Sequence, residues 1–169
     1  MNHFHVLAVM AIAAIAQAGT LSTAGHVQDT SLRPRTPQLF VPGDSSDLKC
    51  TASTFAKKTT DFSASTEDCL CIATDLSSAD WAGSFLLRPA DGVKYGATAV
   101  TCRSCSFVVE TAGEGGVSVG AADVAGYVRD AAERFPGDRL GAEGETVCED
   151  GVVEGGFVKI KWTIAHVPN

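Results

Sequence analysis

Val158-Lys159-Ile160-Lys161-Trp162-Thr163-Ile164 alternates apolar and polar side chains without a break. Successive side chains of a strand point to opposite faces. The stretch therefore predicts a strand that buries Val158, Ile160, Trp162 and Ile164 and leaves Lys159, Lys161 and Thr163 in water. Upstream, Cys105, Phe107 and Val109 alternate with Ser104, Ser106 and Val108. Residues 94–100, 117–119 and 140–148 are further strand candidates. Gly113-Glu114-Gly115-Gly116 and the glycine-rich stretch 151–156 suit hairpin turns, and connections this short join antiparallel neighbours.

Two segments carry the helical period instead. Ser65 and Asp68 fit the [ST]-x-x-[DE] cap, Glu67 and Asp68 suit a helix N-terminus, and Cys69, Ile72, Ala73 and Leu76 then form one apolar stripe. The second helix starts near Ala121 with Asp123 in its first turn. Its stripe is Val124, Tyr127, Val128, Ala131 and Phe135, and Pro136-Gly137 ends it. An antiparallel sheet with two amphipathic helices on one face is an α+β fold, a two-layer sandwich.

The chain opens with an apolar run, residues 6–16, too short to span a bilayer comfortably and followed by Ala16-Gln17-Ala18. Residues 1–18 read as a secretory signal peptide, despite lacking Lys and Arg in the leading region. Cleavage there leaves roughly 150 residues, one domain's worth. Residues 19–46 are rich in Thr, Ser, Gln and Pro without apolar periodicity and read as a flexible N-terminal arm, with the folded domain over 47–169. The protein has 13 Lys and Arg against 20 Asp and Glu, a net charge of −7. That balance argues against nucleic acid and anionic lipid as partners, because both are bound by clusters of basic residues. No stable membrane insertion is expected, and no N-x-[ST] sequon is present.

All six cysteines, Cys50, Cys69, Cys71, Cys102, Cys105 and Cys148, follow the signal. An even number in a secreted chain predicts a disulfide-stapled domain, and six allow fifteen pairings that sequence does not separate. Cys102-Arg103-Ser104-Cys105 is a C-x-x-C, but it leads into a strand pattern and not into the helix that lowers a redox thiol's pKa. Cys69-Leu70-Cys71 has the wrong spacing for a zinc knuckle, so neither a metal nor a cofactor is expected. Cys71 lies roughly 200° around the helix from Cys69. Cys102 has the opposite strand parity to Cys105, so the neighbours in each pair should bond to different places.

No catalytic residue is assigned. Only His26 and His166 follow the signal, one in the arm and one near the C-terminus, and neither G-x-S-x-G nor H-E-x-x-H occurs. Asp68, Asp75, Asp80, Glu110, Asp123, Glu143 and Glu145 are read as helix caps and a solvated acidic surface. A pair of them facing across a cleft would make a small cell-wall hydrolase, which is the alternative reading. Lys57, Lys58, Lys159 and Lys161 are read as solvated. The expected function is therefore binding, not catalysis.

The order of these signals resembles a known family. Cys50 precedes Phe55. Asp68-Cys69 lies on a helix, and Trp81 follows in a loop. Then come Cys105-Ser106-Phe107-Val108-Val109, Val119-Gly120-Ala121-Ala122-Asp123-Val124, Arg139-Leu140-Gly141-Ala142-Glu143-Gly144, Cys148, and Val158-x-x-x-Trp162-x-Ile164. Over residues 48–167 this resembles the fungal extracellular-protein-two effector domain, also called necrosis-inducing factor. It is similar as well to the virally encoded killer toxins of smut fungi, which are α/β sandwiches. The resemblance implies a secreted, extracellular virulence effector whose partner is a host target, or a competing microbe's if it acts as an antimicrobial toxin; the chain is expected to be a monomer. It maps the family's usual cysteines onto Cys50, Cys69, Cys105 and Cys148 and sets Cys71 and Cys102 outside that pattern, as an added pair. It carries over no catalytic residue.

Overall fold

A computed structural model of the protein describes residues 39–44, 48–88, 96–111 and 116–167. Residues 1–18, read from sequence as a signal peptide, and most of 19–46, read as an arm, lie outside the described residues. The elements in chain order are β1 (Leu39–Pro42), β2 (Ala56–Lys57), β3 (Ala64–Ser65), α1 (Thr66–Asp75), a 3-10 turn (Ala79–Trp81), β4 (Gly83–Leu87), β5 (Ala97–Cys102), β6 (Cys105–Thr111), β7 (Val117–Gly120), α2 (Ala121–Arg134), β8 (Arg139–Leu140), β9 (Ala142–Asp150) and β10 (Phe157–His166).

The described strands form an eight-stranded sheet ordered β1-β4-β7-β9-β10-β6-β5, with β2 also on β9, plus a small β3–β8 ladder. Every pairing is antiparallel. Both helices pack on the sheet and against each other, making an α+β two-layer sandwich. The Val158–Ile164 alternation is borne out in β10, where Ile160, Trp162 and Ile164 are buried and Lys159 lies outside. Ser65 caps α1 by accepting a hydrogen bond from Asp68 N at 3.1 Å. The second helix covers the centre of the sheet. Its Tyr127 ring stacks on Trp162 at 5.6 Å and on Phe107 at 6.4 Å, and Phe55 closes the cluster edge-on to Trp162 at 5.3 Å. Trp162 donates its indole hydrogen to Ser53 Oγ at 2.7 Å, so this buried ring has no unpaired polar atom.

Besides the two-residue strands β2 and β3, two longer strands lie where the sequence reading has none. Leu39–Pro42, inside the stretch read as arm, is the edge strand β1 on β4. Phe40 holds it in place, edge-on to Trp81 at 5.2 Å and Phe85 at 5.4 Å, and the edge position tolerates Pro42. Gly83–Leu87 is an inner strand between β1 and β7, and four of its five residues are buried. A strand covered on both faces has no period-two pattern to detect.

Three disulfides staple the layers. Cys50–Cys148 ties the segment before β2 to β9, while Cys69–Cys105 and Cys71–Cys102 run side by side from α1 to the β5–β6 hairpin. The parity reading of Cys102 and Cys105 is thereby corrected. A turn of only Arg103 and Ser104 reverses the chain, so the two cysteines stand directly opposite in register and share one face.

Buried Asp123, in the first turn of α2, is the polar counterpart of these staples. Its Oδ2 accepts hydrogen bonds from Lys49 N at 2.7 Å, Cys50 N at 3.1 Å and Gly120 N at 3.2 Å. Burial raises its pKa, and the three donors work against that rise. The folded state thus holds this proton more tightly than the unfolded chain does. Its contribution to stability is greatest below the ordinary carboxylate pKa and is lost as pH rises through the folded value. Asp123→Ala orphans three backbone donors, two of them only partly buried and open to water. A loss of about 2 kcal/mol in urea denaturation is expected, with Asp123→Asn, which keeps an acceptor, losing less.

Candidate functional site

The alternation that buries Trp162 also builds an outer face. Glu143, Glu145 and Val147 of β9 lie beside Lys159, Lys161 and Thr163 of β10, all pointing away from the helices. Lys58 Nζ and Lys161 Nζ each approach Glu143 at 3.0 Å, and Lys159 Nζ approaches Glu145 at 2.7 Å. A shallow cleft of about 280 Å³ lies between this ladder and β2, lined by Thr54, Phe55, Ala56, Glu143, Glu145 and Lys161. The Arg134 guanidinium sits 4.6 Å over the Phe55 ring. Lys161 and then Lys58 hold the Glu143 carboxyl below its ordinary pKa, and Glu143 in turn raises that of Lys161. A general acid of a glycosidase needs the opposite shift, so Glu143 is suited to an ion pair and not to protonating a leaving group.

The ladder gives way to apolar residues at the β9–β10 turn. Val152, Val153 and Phe157 are 64%, 58% and 67% exposed. Residues 151–156 read from sequence as a glycine-rich turn, which does not single out these side chains. The signal was there, as two adjacent β-branched apolar residues inside a turn, where Gly, Asn, Asp and Ser are usual.

The other candidates scatter. Asp68 accepts a hydrogen bond from Ser104 Oγ at 2.5 Å and pairs with Arg103 at 3.4 Å. The Ser104 hydroxyl, more than any other group, lowers its pKa. Arg103, at positive φ in the stapled turn, also reaches Glu67 at 3.3 Å. Asp75 lies near Cys71 and Cys102, with ligand atoms within 4.8 Å of one another, but the two sulfurs share a disulfide and offer no thiolate. Asp80 is on the 3-10 turn, and Glu110 faces Lys161 across β6–β10. His166 ends β10 opposite Cys105, and His26 lies outside the described residues. Among the described residues no helix is long and apolar enough to cross a membrane.

Residues 49–148 match a family model described as "Pathogen effector; putative necrosis-inducing factor". The chain belongs to this pathogen-effector family. No curated protein matches it. The effector match begins one residue before Cys50 and ends on Cys148, so it contains all six cysteines, both helices and the strands β2 to β9 up to that point. The apolar end of the β9–β10 hairpin and the whole of β10 lie beyond the part matched to the effector family.

Proposed function

We propose that the protein is a secreted fungal effector that acts outside the producing cell by binding a host target, without catalysis. The effector match across all six cysteines carries this reading. The three disulfides support it, since such staples persist in oxidising compartments and resist unfolding among extracellular proteases. So does the chemistry of the outer face, where lysines pair with both acids of the cleft. Killer-toxin-like action on competing microbes would use the same scaffold and differ only in the target.

Infiltration of purified, disulfide-intact protein into leaves tests the proposal. Local cell death or a defence response is expected, and reduced and alkylated protein should give none. An equal response to the alkylated protein, or growth inhibition of other fungi with no effect on leaves, would overturn host-directed action.

A further inference from the structure

We infer that the end of the β9–β10 hairpin docks a protein surface that is apolar at its centre and basic at its rim. The inference rests on the binding reading above and names the surface and partner chemistry for it.

Val152, Val153 and Phe157 form the exposed tip, and Val147 adjoins it at 36% exposure on the same sheet face, diagonal to Phe157. The tip is rigid. Asp150 Oδ1 accepts from Val152 N at 2.8 Å and Val153 N at 3.0 Å, Asp150 N donates to Gly156 O at 2.9 Å, and Gly156 N donates to Val153 O at 3.0 Å. Gly151 N donates to Gly116 O at 3.0 Å, and the Cys50–Cys148 bridge anchors β9 just before the turn. The backbone therefore presents these side chains outward in a fixed arrangement. A preorganised surface loses little entropy on binding, and a clustered apolar patch with an aromatic anchor is what interface centres use.

Charge selects the occupant. Between Arg139 and Lys159 there is no Lys, Arg or His, and Glu149, Asp150 and Glu154 flank the tip, while Arg88, which borders Gly116 together with Val152, adds a basic group on one side only. Lys49 pairs with Glu149 at 3.2 Å and offsets that acid, and Lys159 is engaged with Glu145 at 2.7 Å, so Asp150 and Glu154 carry the charge of the collar. An acidic collar repels anionic lipid headgroups, and it repels the same collar on a second copy of a chain already at −7. A protein patch with Lys or Arg around an apolar centre complements both parts.

The test uses ¹⁵N-labelled full-length protein and a synthetic amphipathic peptide of alternating leucine and lysine, with a leucine–glutamate peptide as control. Amide shifts confined to residues 147–157 are expected, with binding that weakens as salt is added. The triple variant Val152→Ser, Val153→Ser, Phe157→Ser should bind about tenfold more weakly, as should Glu154→Lys, at unchanged thermal midpoint. Shifts elsewhere, equal binding of the acidic peptide, or no effect of the triple variant would overturn the inference. So would vesicle binding to phosphatidylcholine, or dimerisation by light scattering, that the triple variant abolishes. In leaves, an active wild type and an inactive triple variant support the hairpin. Equal activity of the two removes the hairpin and leaves the effector reading intact. An inactive wild type removes the effector reading, and the peptide titration still decides the hairpin.

Discussion

Replacing the Cys50–Cys148 bridge by Cys50→Ser/Cys148→Ser is expected to lower the unfolding free energy by about 4 kcal/mol. The bridge closes a separation of 98 residues, so its loss frees most of the folded chain in the unfolded state. It also fastens a segment that the sheet holds only along one edge. Residues 49–58 lie along β9 through Glu149 N to Lys49 O, Thr51 N to Val147 O and Thr54 N to Glu145 O, together with the short β2 ladder. The Cys71–Cys102 bridge gives the contrast. Its separation of 31 residues is nested within the 36 of Cys69–Cys105 and joins the same two elements. With the outer bridge intact, the inner one closes only a short ring. Cys71→Ser/Cys102→Ser should cost about 2 kcal/mol. Urea denaturation under non-reducing conditions measures both losses. Equal losses would show that loop length is not what sets them.

Gly144→Ala is expected to destabilise the protein by about 3 kcal/mol, for a single methyl group. Gly144 stands directly opposite Trp162 in the β9–β10 register. A Cβ there would come within 2.6 Å of Trp162 Cε2, and closer still to Cζ2 and to the Thr54 carbonyl oxygen. Neither neighbour can yield cheaply. The Trp162 ring is fully buried, packed against both Tyr127 and Phe107 and hydrogen-bonded to Ser53, and Thr54 is fixed by its backbone hydrogen bond to Glu145. The melting temperature should fall by about 10 °C for a domain of this size. Gly126, on α2 with no atom within 4 Å of its would-be Cβ, is the matched control. Alanine at Gly126 should stabilise the helix slightly. A mild effect at Gly144, comparable to Gly126, would mean that β9 does not lie where the register puts it.

How much could be read from the sequence follows from how each element is covered. The strand β10 and both helices were legible because each has one buried and one wet face, which leaves a period in the residues. The inner strand Gly83–Leu87 was not, because it has no wet face, and the edge strand at Phe40 was hidden by the prolines around it. Sequence counted the cysteines but left their connectivity open. Their pairing depends on which strands lie side by side, and the hairpin at Arg103 and Ser104 reversed the parity that a continuous strand would have had. At the candidate site, Glu143, Glu145, Lys159 and Lys161 were each visible, but their pairing into a ladder depends on the β9–β10 register. The exposed tip was hidden by its own glycines. Gly151, Gly155 and Gly156 marked a turn and drew attention away from Val152 and Val153 between them.

If the protein acts by binding, as proposed, the acids of its outer face are structural. The most direct measurement is a dose series of leaf infiltration comparing wild type with Glu143→Gln/Glu145→Gln. Both substitutions remove every carboxylate of the cleft while leaving the disulfides and the hairpin tip untouched. Equal responses across the dose range are predicted. Loss of the response in the double variant, at unchanged thermal stability, would contradict the claim and point to acid catalysis in the cleft.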